Sequence, residues 1–125
     1  MELKDIAERF ELDFILLFGS RAEGMESEVS DFDIAVYGRH ILSEEEKINL
    51  SYELSHIFNS EDIDIVDIKK APPLLRKMIF NCYKILYLQS PHLLYQLELV
   101  SLYENEEAKI LYEMRDERLR AFVND

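Results

Sequence analysis

Three aspartates and one Gly-Ser pair carry the chemistry that this chain can offer. Gly19-Ser20 stands ten residues ahead of Asp31-Phe32-Asp33, and Asp64 lies in a later apolar run. Glycine lets the backbone approach a phosphate closely, and a Ser hydroxyl with neighbouring N–H groups donates to phosphate oxygens. Arg21, the next residue, adds a charged donor. Asp31 and Asp33 are two positions apart, so on a strand they project from one face. Two carboxylates side by side repel each other unless a cation sits between them. Mg²⁺ takes oxygen ligands and commonly joins one or two carboxylates to substrate phosphates.

That set of groups suits nucleotidyl transfer, in which phosphates are held, their charge is offset and a hydroxyl is aligned with the α-phosphorus. Two metal ions about 3.5–4 Å apart can do this by clamping the attacking and leaving oxygens. Such a site needs two carboxylates on one rigid strand and a third from a neighbour. Asp64 is the candidate third. Alternation puts Asp62 on its face and turns Asp67 the other way.

The elements that must position these groups are readable from periodicity. Residues 2–11 form a first helix with Leu3, Ile6, Ala7 and Phe10 on one face. Residues 13–18 are a buried strand leading into the Gly-Ser turn, and residues 31–37 are a second strand leading out of the aspartates. Phe32 and Ile34 are expected to face the core. Ser43 with Glu46 makes a capping box. It opens a helix that carries Ile48, Leu50, Leu54 and Ile57 and ends near Asn59. Residues 63–68 alternate as a third strand. Pro72-Pro73 suits the first turn of a helix running to about Asn81. Residues 84–88 read as a fourth strand, and Ser90-Pro91 starts a last helix running to about Val123. The order α-β-β-α-β-α-β-α describes one α/β or α+β domain over residues 1–125.

Bulk properties narrow the function classes. The chain has 125 residues, enough for one core rather than two, and is 48% hydrophobic, as a globular protein should be. Its 26 acidic and 14 basic residues give a formal charge of −12. So acidic a surface repels a nucleic-acid backbone, which disfavours a polymerase or RNA-tailing role but not a single nucleotide carried with Mg²⁺. Cys82 is the single cysteine, so no internal disulfide forms, in keeping with a reducing compartment. No signal-peptide pattern follows Met1, and no apolar run nears the roughly 20 residues a membrane helix needs. The expectation is a cytoplasmic protein.

Gly19-Ser20, ten residues, then Asp31-x-Asp33 resembles the signature of the polymerase-β-like nucleotidyltransferase superfamily. The segment Asp64-Ile65-Val66-Asp67-Ile68, followed by Ala71-Pro72-Pro73-Leu74-Leu75, resembles its minimal nucleotidyltransferase (MNT) family. The resemblance covers roughly residues 12–90. It implies a mixed sheet of about four strands flanked by helices, with the site at the ends of the first three strands. It implies ATP as substrate and two Mg²⁺ ions held by Asp31, Asp33 and Asp64. Asp64 would also orient the attacking hydroxyl, and Gly19, Ser20 and Arg21 would bind the nucleotide phosphates. It implies an antitoxin that transfers AMP to a tyrosine of a HEPN-domain ribonuclease toxin. One position departs from the pattern: Glu23 stands where family members often carry a second basic residue.

Two other functions are compatible with the same residues. A small-molecule acceptor, as in antibiotic nucleotidyltransferases, would need a pocket that 125 residues scarcely supply. A binding module would neutralise a toxin by occlusion, without chemistry. Residues 91–125 bear on this choice. Leu93, Leu94, Leu97, Leu99, Val100, Leu102 and Tyr103 are apolar nearly all round a helix, wider than one sheet contact requires. The surplus can serve deeper burial, a partner protein or a second copy. Tyr95, Tyr103 and Tyr112 add amphipathic area of the kind enriched at interfaces. His40, His56 and His92 share no zinc-ligand spacing. Cys82 sits among apolar residues. Lys69, Lys70, Arg76 and Lys77 form the one basic cluster, either a phosphate counter-charge or a solvated helix start.

Overall fold

The computed structural model describes residues 2–19, 22 and 31–104. Its elements are α1 (Leu3–Arg9), β1 (Leu12–Phe18), β2 (Phe32–Gly38), α2 (Glu44–Phe58), β3 (Ile63–Asp67), α3 (Pro73–Asn81), β4 (Tyr83–Leu88) and α4 (Pro91–Leu102). Helix α1 is shorter than its apolar stripe suggests. Phe10 caps it, and Glu11 takes a positive φ of 56°, which turns the chain into β1. The far end of the last helix, towards Val123, lies outside the described residues.

The four strands form one mixed sheet in the order β3-β2-β1-β4. β1 pairs antiparallel with both β2 and β4, whereas β2 and β3 run parallel with α2 as the crossover. β1 is therefore central, and its burial is almost continuous, as expected for a strand covered on both faces.

Each face has its own apolar layer. α1 and α2 cover Ile15, Leu17, Ile34, Val36 and Ile65 with Ile6, Leu50 and Leu54. α3 and α4 cover Phe14, Leu16, Phe18 and Ala35 with Ile79 and Leu94. The expectation that Phe32 and Ile34 face the core holds, with Phe32 stacked on Phe58 of α2 at 4.7 Å. The opposite face of β2, which carries the aspartates, becomes a second core from Ala35 onward.

Ser43 and Glu46 close the expected capping box on α2. The Glu46 N–H donates to Ser43 Oγ at 3.1 Å, and the Ser43 N–H donates to Glu46 Oε1 at 3.0 Å. Leu50 and Leu54 are buried in α2, but Ile48 is 68% exposed. It lies two positions from Leu50, about 200° around a helix of 3.6 residues per turn, and so looks away from that stripe.

Candidate active site

The site lies where β1 ends and where β2 and β3 begin. Gly19 leaves β1 with a φ of +76°, a conformation that side chains disfavour. The Ala22 N–H donates to the Gly19 carbonyl at 3.1 Å, closing a turn there. A Cβ on Gly19 would collide with Oδ2 of Asp33 and stand 3.2 Å from its Cγ. The glycine thus makes room for this carboxylate beside the turn. Ser20 and Arg21 lie outside the described residues.

Register brings the acids together. Asp33 pairs across the sheet with Asp64 on one side and with Phe18 on the other. Phe18 in turn pairs with Tyr83 of β4. Asp64, Asp33, Phe18 and Tyr83 therefore make one row across the four strands. Asp31 and Asp33 share the face of Ala35, and Asp64 that of Val66, which is the face covered further along by α3 and α4. The Phe32 N–H donates to the Asp62 carbonyl at 2.8 Å, which holds the start of β3 against β2.

The electrostatics of this row call for positive charge. Burial pushes the Asp33 carboxyl up from 3.8, and the carboxylates of Asp64 and then Asp31 push it further. Among the described residues no Lys, Arg or His forms an ion pair with Asp31, Asp33 or Asp64. Nor do three His, Cys, Asp or Glu side chains among them converge on a point that could hold a metal ion. A hard divalent cation is commonly held by one or two carboxylates and completed by substrate phosphates. The donor set, all carboxylate oxygen, fits Mg²⁺ or Mn²⁺.

Other singled-out residues are placed elsewhere. Asp67 points to the α2 face and is buried, accepting from the Leu42 N–H at 2.8 Å and the Lys69 N–H at 3.0 Å. Lys69 and Arg76 gather around Tyr37, four residues along β2 from Asp33 and so about 13 Å away. Lys69 Nζ lies 4.4 Å from the Tyr37 ring centroid, and Arg76 donates to the Ala71 carbonyl at 2.7 Å and to Glu104. They pack the far end of the sheet rather than the carboxylate row. Cys82 is half-buried at the end of α3. His40 bridges Glu46 at 2.9 Å and Glu11 at 3.5 Å. Of α4, Leu94 is buried, whereas Tyr95, Val100, Leu102 and Tyr103 are about half exposed or more.

Tyr83 was not foreseen as a neighbour of the site. Its hydroxyl donates to Glu98 of α4, whose carboxyl is pushed up by burial. The β1–β4 pairing that brings Tyr83 into the row is long-range, and no local motif announces it.

Comparison with known proteins gives the family. Residues 1–92 match the family model described as polymerase beta, nucleotidyltransferase. Over 99 residues, 78% of this chain and 70% of the relative, the sequence is 30% identical to protein adenylyltransferase MntA of Shewanella oneidensis. In structure it is similar to a toxin–antitoxin crystallised with AMP-PNP. The TM-score is 0.74 at 21% identity, over 94% of this chain and 95% of that one. It is also similar, with a TM-score of 0.61 at 24% identity over 93% and 92% of the two chains, to a complex of a tri-AMPylated Shewanella oneidensis HEPN toxin with its MNT antitoxin. Matched by that family model over residues 1–92 and 30% identical to that relative, the chain belongs to the polymerase-β nucleotidyltransferase family.

Proposed function

We propose that this chain transfers AMP from ATP to a tyrosine hydroxyl of a HEPN-domain toxin and acts as the antitoxin of that pair. The observation that carries the reading is the row of Asp33 and Asp64, with Asp31 on the same face, beside a glycine turn. The relative MntA is a protein adenylyltransferase, and a related MNT antitoxin is found with an AMPylated HEPN toxin. In the reaction a tyrosine oxygen attacks the α-phosphorus of ATP. The new O–P bond forms as the bond to the bridging oxygen breaks, pyrophosphate leaves, and the phenolic proton passes to a base or to water. Asp31, Asp33 and Asp64 would hold divalent cation together with the substrate phosphates, and the cation would supply charge neutralisation for the phosphates and the leaving group. Gly19, with Ser20 and Arg21, receives the phosphates. Asp64, nearest the open edge of the sheet, is the carboxylate placed to orient the acceptor hydroxyl. A need for ATP and a lone cysteine support a cytoplasmic protein. Among the described residues no helix is long and apolar enough to cross a membrane.

The test is co-expression with the neighbouring gene product and intact mass of that partner. One or more added AMP masses are expected, and none with Asp31→Asn/Asp33→Asn. An unmodified partner would overturn the reading.

The exposed apolar side of α4 supports a second contribution, binding of the toxin. Leu99 and Leu102, three residues apart and so on one face of the helix, are 38% and 49% exposed. Replacing both by Lys should weaken co-purification without preventing nucleotide binding. Neutralisation that survives loss of the aspartates but not of this face would make occlusion the main activity.

A further inference from the structure

β3 is an edge strand, because the described sheet begins with it. Its backbone groups divide by alternation. The Phe32 N–H donates to the Asp62 carbonyl, and the Ile68 N–H donates to the Val36 carbonyl, so the even-numbered residues of this strand bond to β2. Ile63, Ile65 and Asp67 then direct their N–H and C=O groups outward. The Ile63 N–H is taken up by the Glu61 carbonyl, and the Asp67 carbonyl by Lys70 and Ala71. The Ile65 N–H and C=O remain at the centre of the open edge.

Beside that edge runs a groove of ≈ 260 Å³, lined by Lys47, Ile48 and Ser51 of α2 and by Ile63, Asp64 and Ile65. Ile48 and Tyr52 are the exposed apolar side chains on this side of α2, at 68% and 63%. The edge ends in exposed acids, Glu61, Asp62 and Asp64. Like charges opposite one another destabilise a strand pair, so this edge rejects a second copy of itself and favours a segment that brings positive charge.

We infer that the protein acceptor presents its tyrosine on an extended segment that adds as a strand to the open edge of β3. This rests on the AMP-transfer reading above. Side chains of adjacent strands keep the same face, and the strands lie about 5 Å apart. A residue opposite Asp64 therefore stands on the carboxylate face, next in the row after Asp33 and Asp64. The residues on either side of it turn to the opposite face, over the groove with Ile48, Ile63 and Ile65. The geometry selects a tyrosine flanked by apolar residues, with a basic residue beyond them. Main-chain bonds to Ile65 hold the segment, and the apolar flanks fix its register.

The experiment measures amide exchange at Ile65 by NMR, for the free chain and for the chain saturated with the co-expressed HEPN partner. AMP transfer to that partner is measured alongside, for wild type and Ile48→Glu. Exchange at Ile65 should slow at least tenfold in the complex. Ile48→Glu should raise KM for the partner at least tenfold while AMP-PNP binding stays unchanged. Unchanged exchange at Ile65 in the complex would overturn the inference, as would wild-type KM in Ile48→Glu. An Ile65 amide already protected in the free chain would also overturn it, since the edge would then be covered by the chain's own residues or by a second copy. Absence of transfer by wild type would refute the AMP-transfer reading instead, and exchange at Ile65 would still report whether the edge binds the partner.

Discussion

Gly19 and Asp33 share one space: the Asp33 carboxylate fills the volume that a side chain on Gly19 would need. Gly19 follows the end of β1 whereas Asp33 lies on β2, and the antiparallel pairing of Phe18 with Asp33 brings them together. Gly19→Ala should therefore do two things. It forces a side chain into a left-handed conformation, which costs about 1–2 kcal/mol, and it displaces Asp33. AMP transfer should fall at least a hundredfold, while denaturant unfolding reports only the smaller backbone cost. A Gly19→Ala protein with an unchanged initial rate would remove Asp33 from the site.

Asp33 also gives a pH prediction. Its carboxyl is raised above 3.8 by burial, then by Asp64 and Asp31, so ionising it opposes folding. That cost is absent below 3.8 and complete above the raised folded value. Asp33→Asn should hold or raise stability at pH 7, by roughly 0.2–1 kcal/mol after screening by solvent, while abolishing transfer. Mg²⁺ with ATP should raise the melting temperature of wild type but not of Asp31→Asn/Asp33→Asn. Destabilisation by Asp33→Asn at pH 7 would contradict the crowding of these acids.

His40 should make stability pH-dependent in the opposite sense. Its imidazole is raised above 6.5, chiefly by the hydrogen bond to Glu46, with Glu11 adding to it. The contribution is complete below about 6.5 and is lost as pH rises through the higher folded value. Melting temperatures between pH 5 and 9 should show this loss in wild type. His40→Gln should flatten it, and an unchanged profile would show the bridge to be idle.

Asp67 is a structural carboxylate rather than part of the carboxylate row. It accepts from Leu42 and Lys69 on the α2 face, away from Asp64. Asp67→Ala leaves those donors unmatched and should cost about 1–3 kcal/mol in urea unfolding. The folded variant should keep its transfer rate at low temperature. A large rate loss without a stability loss would move Asp67 into the site.

Much of this protein follows from local sequence. The alternation of Asp31 and Asp33, the Ser43–Glu46 capping box, the proline start of α3 and the order of eight elements are short-range patterns. Backbone geometry enforces them wherever they occur. The Gly19-Ser20 to Asp33 spacing also carried the family, because phosphate and metal chemistry admits few alternatives.

Tertiary pairing decided the rest. No local pattern states that Asp64 stands opposite Asp33, that Tyr83 ends the same row, or that Lys69 and Arg76 pack near Tyr37 instead of the carboxylates. Nor does one reveal that Ile48 looks outward beside an open strand edge. These relations depend on which strands pair and in what register. That choice is set by the simultaneous burial of two apolar layers, one on each face of the sheet, which no single segment encodes.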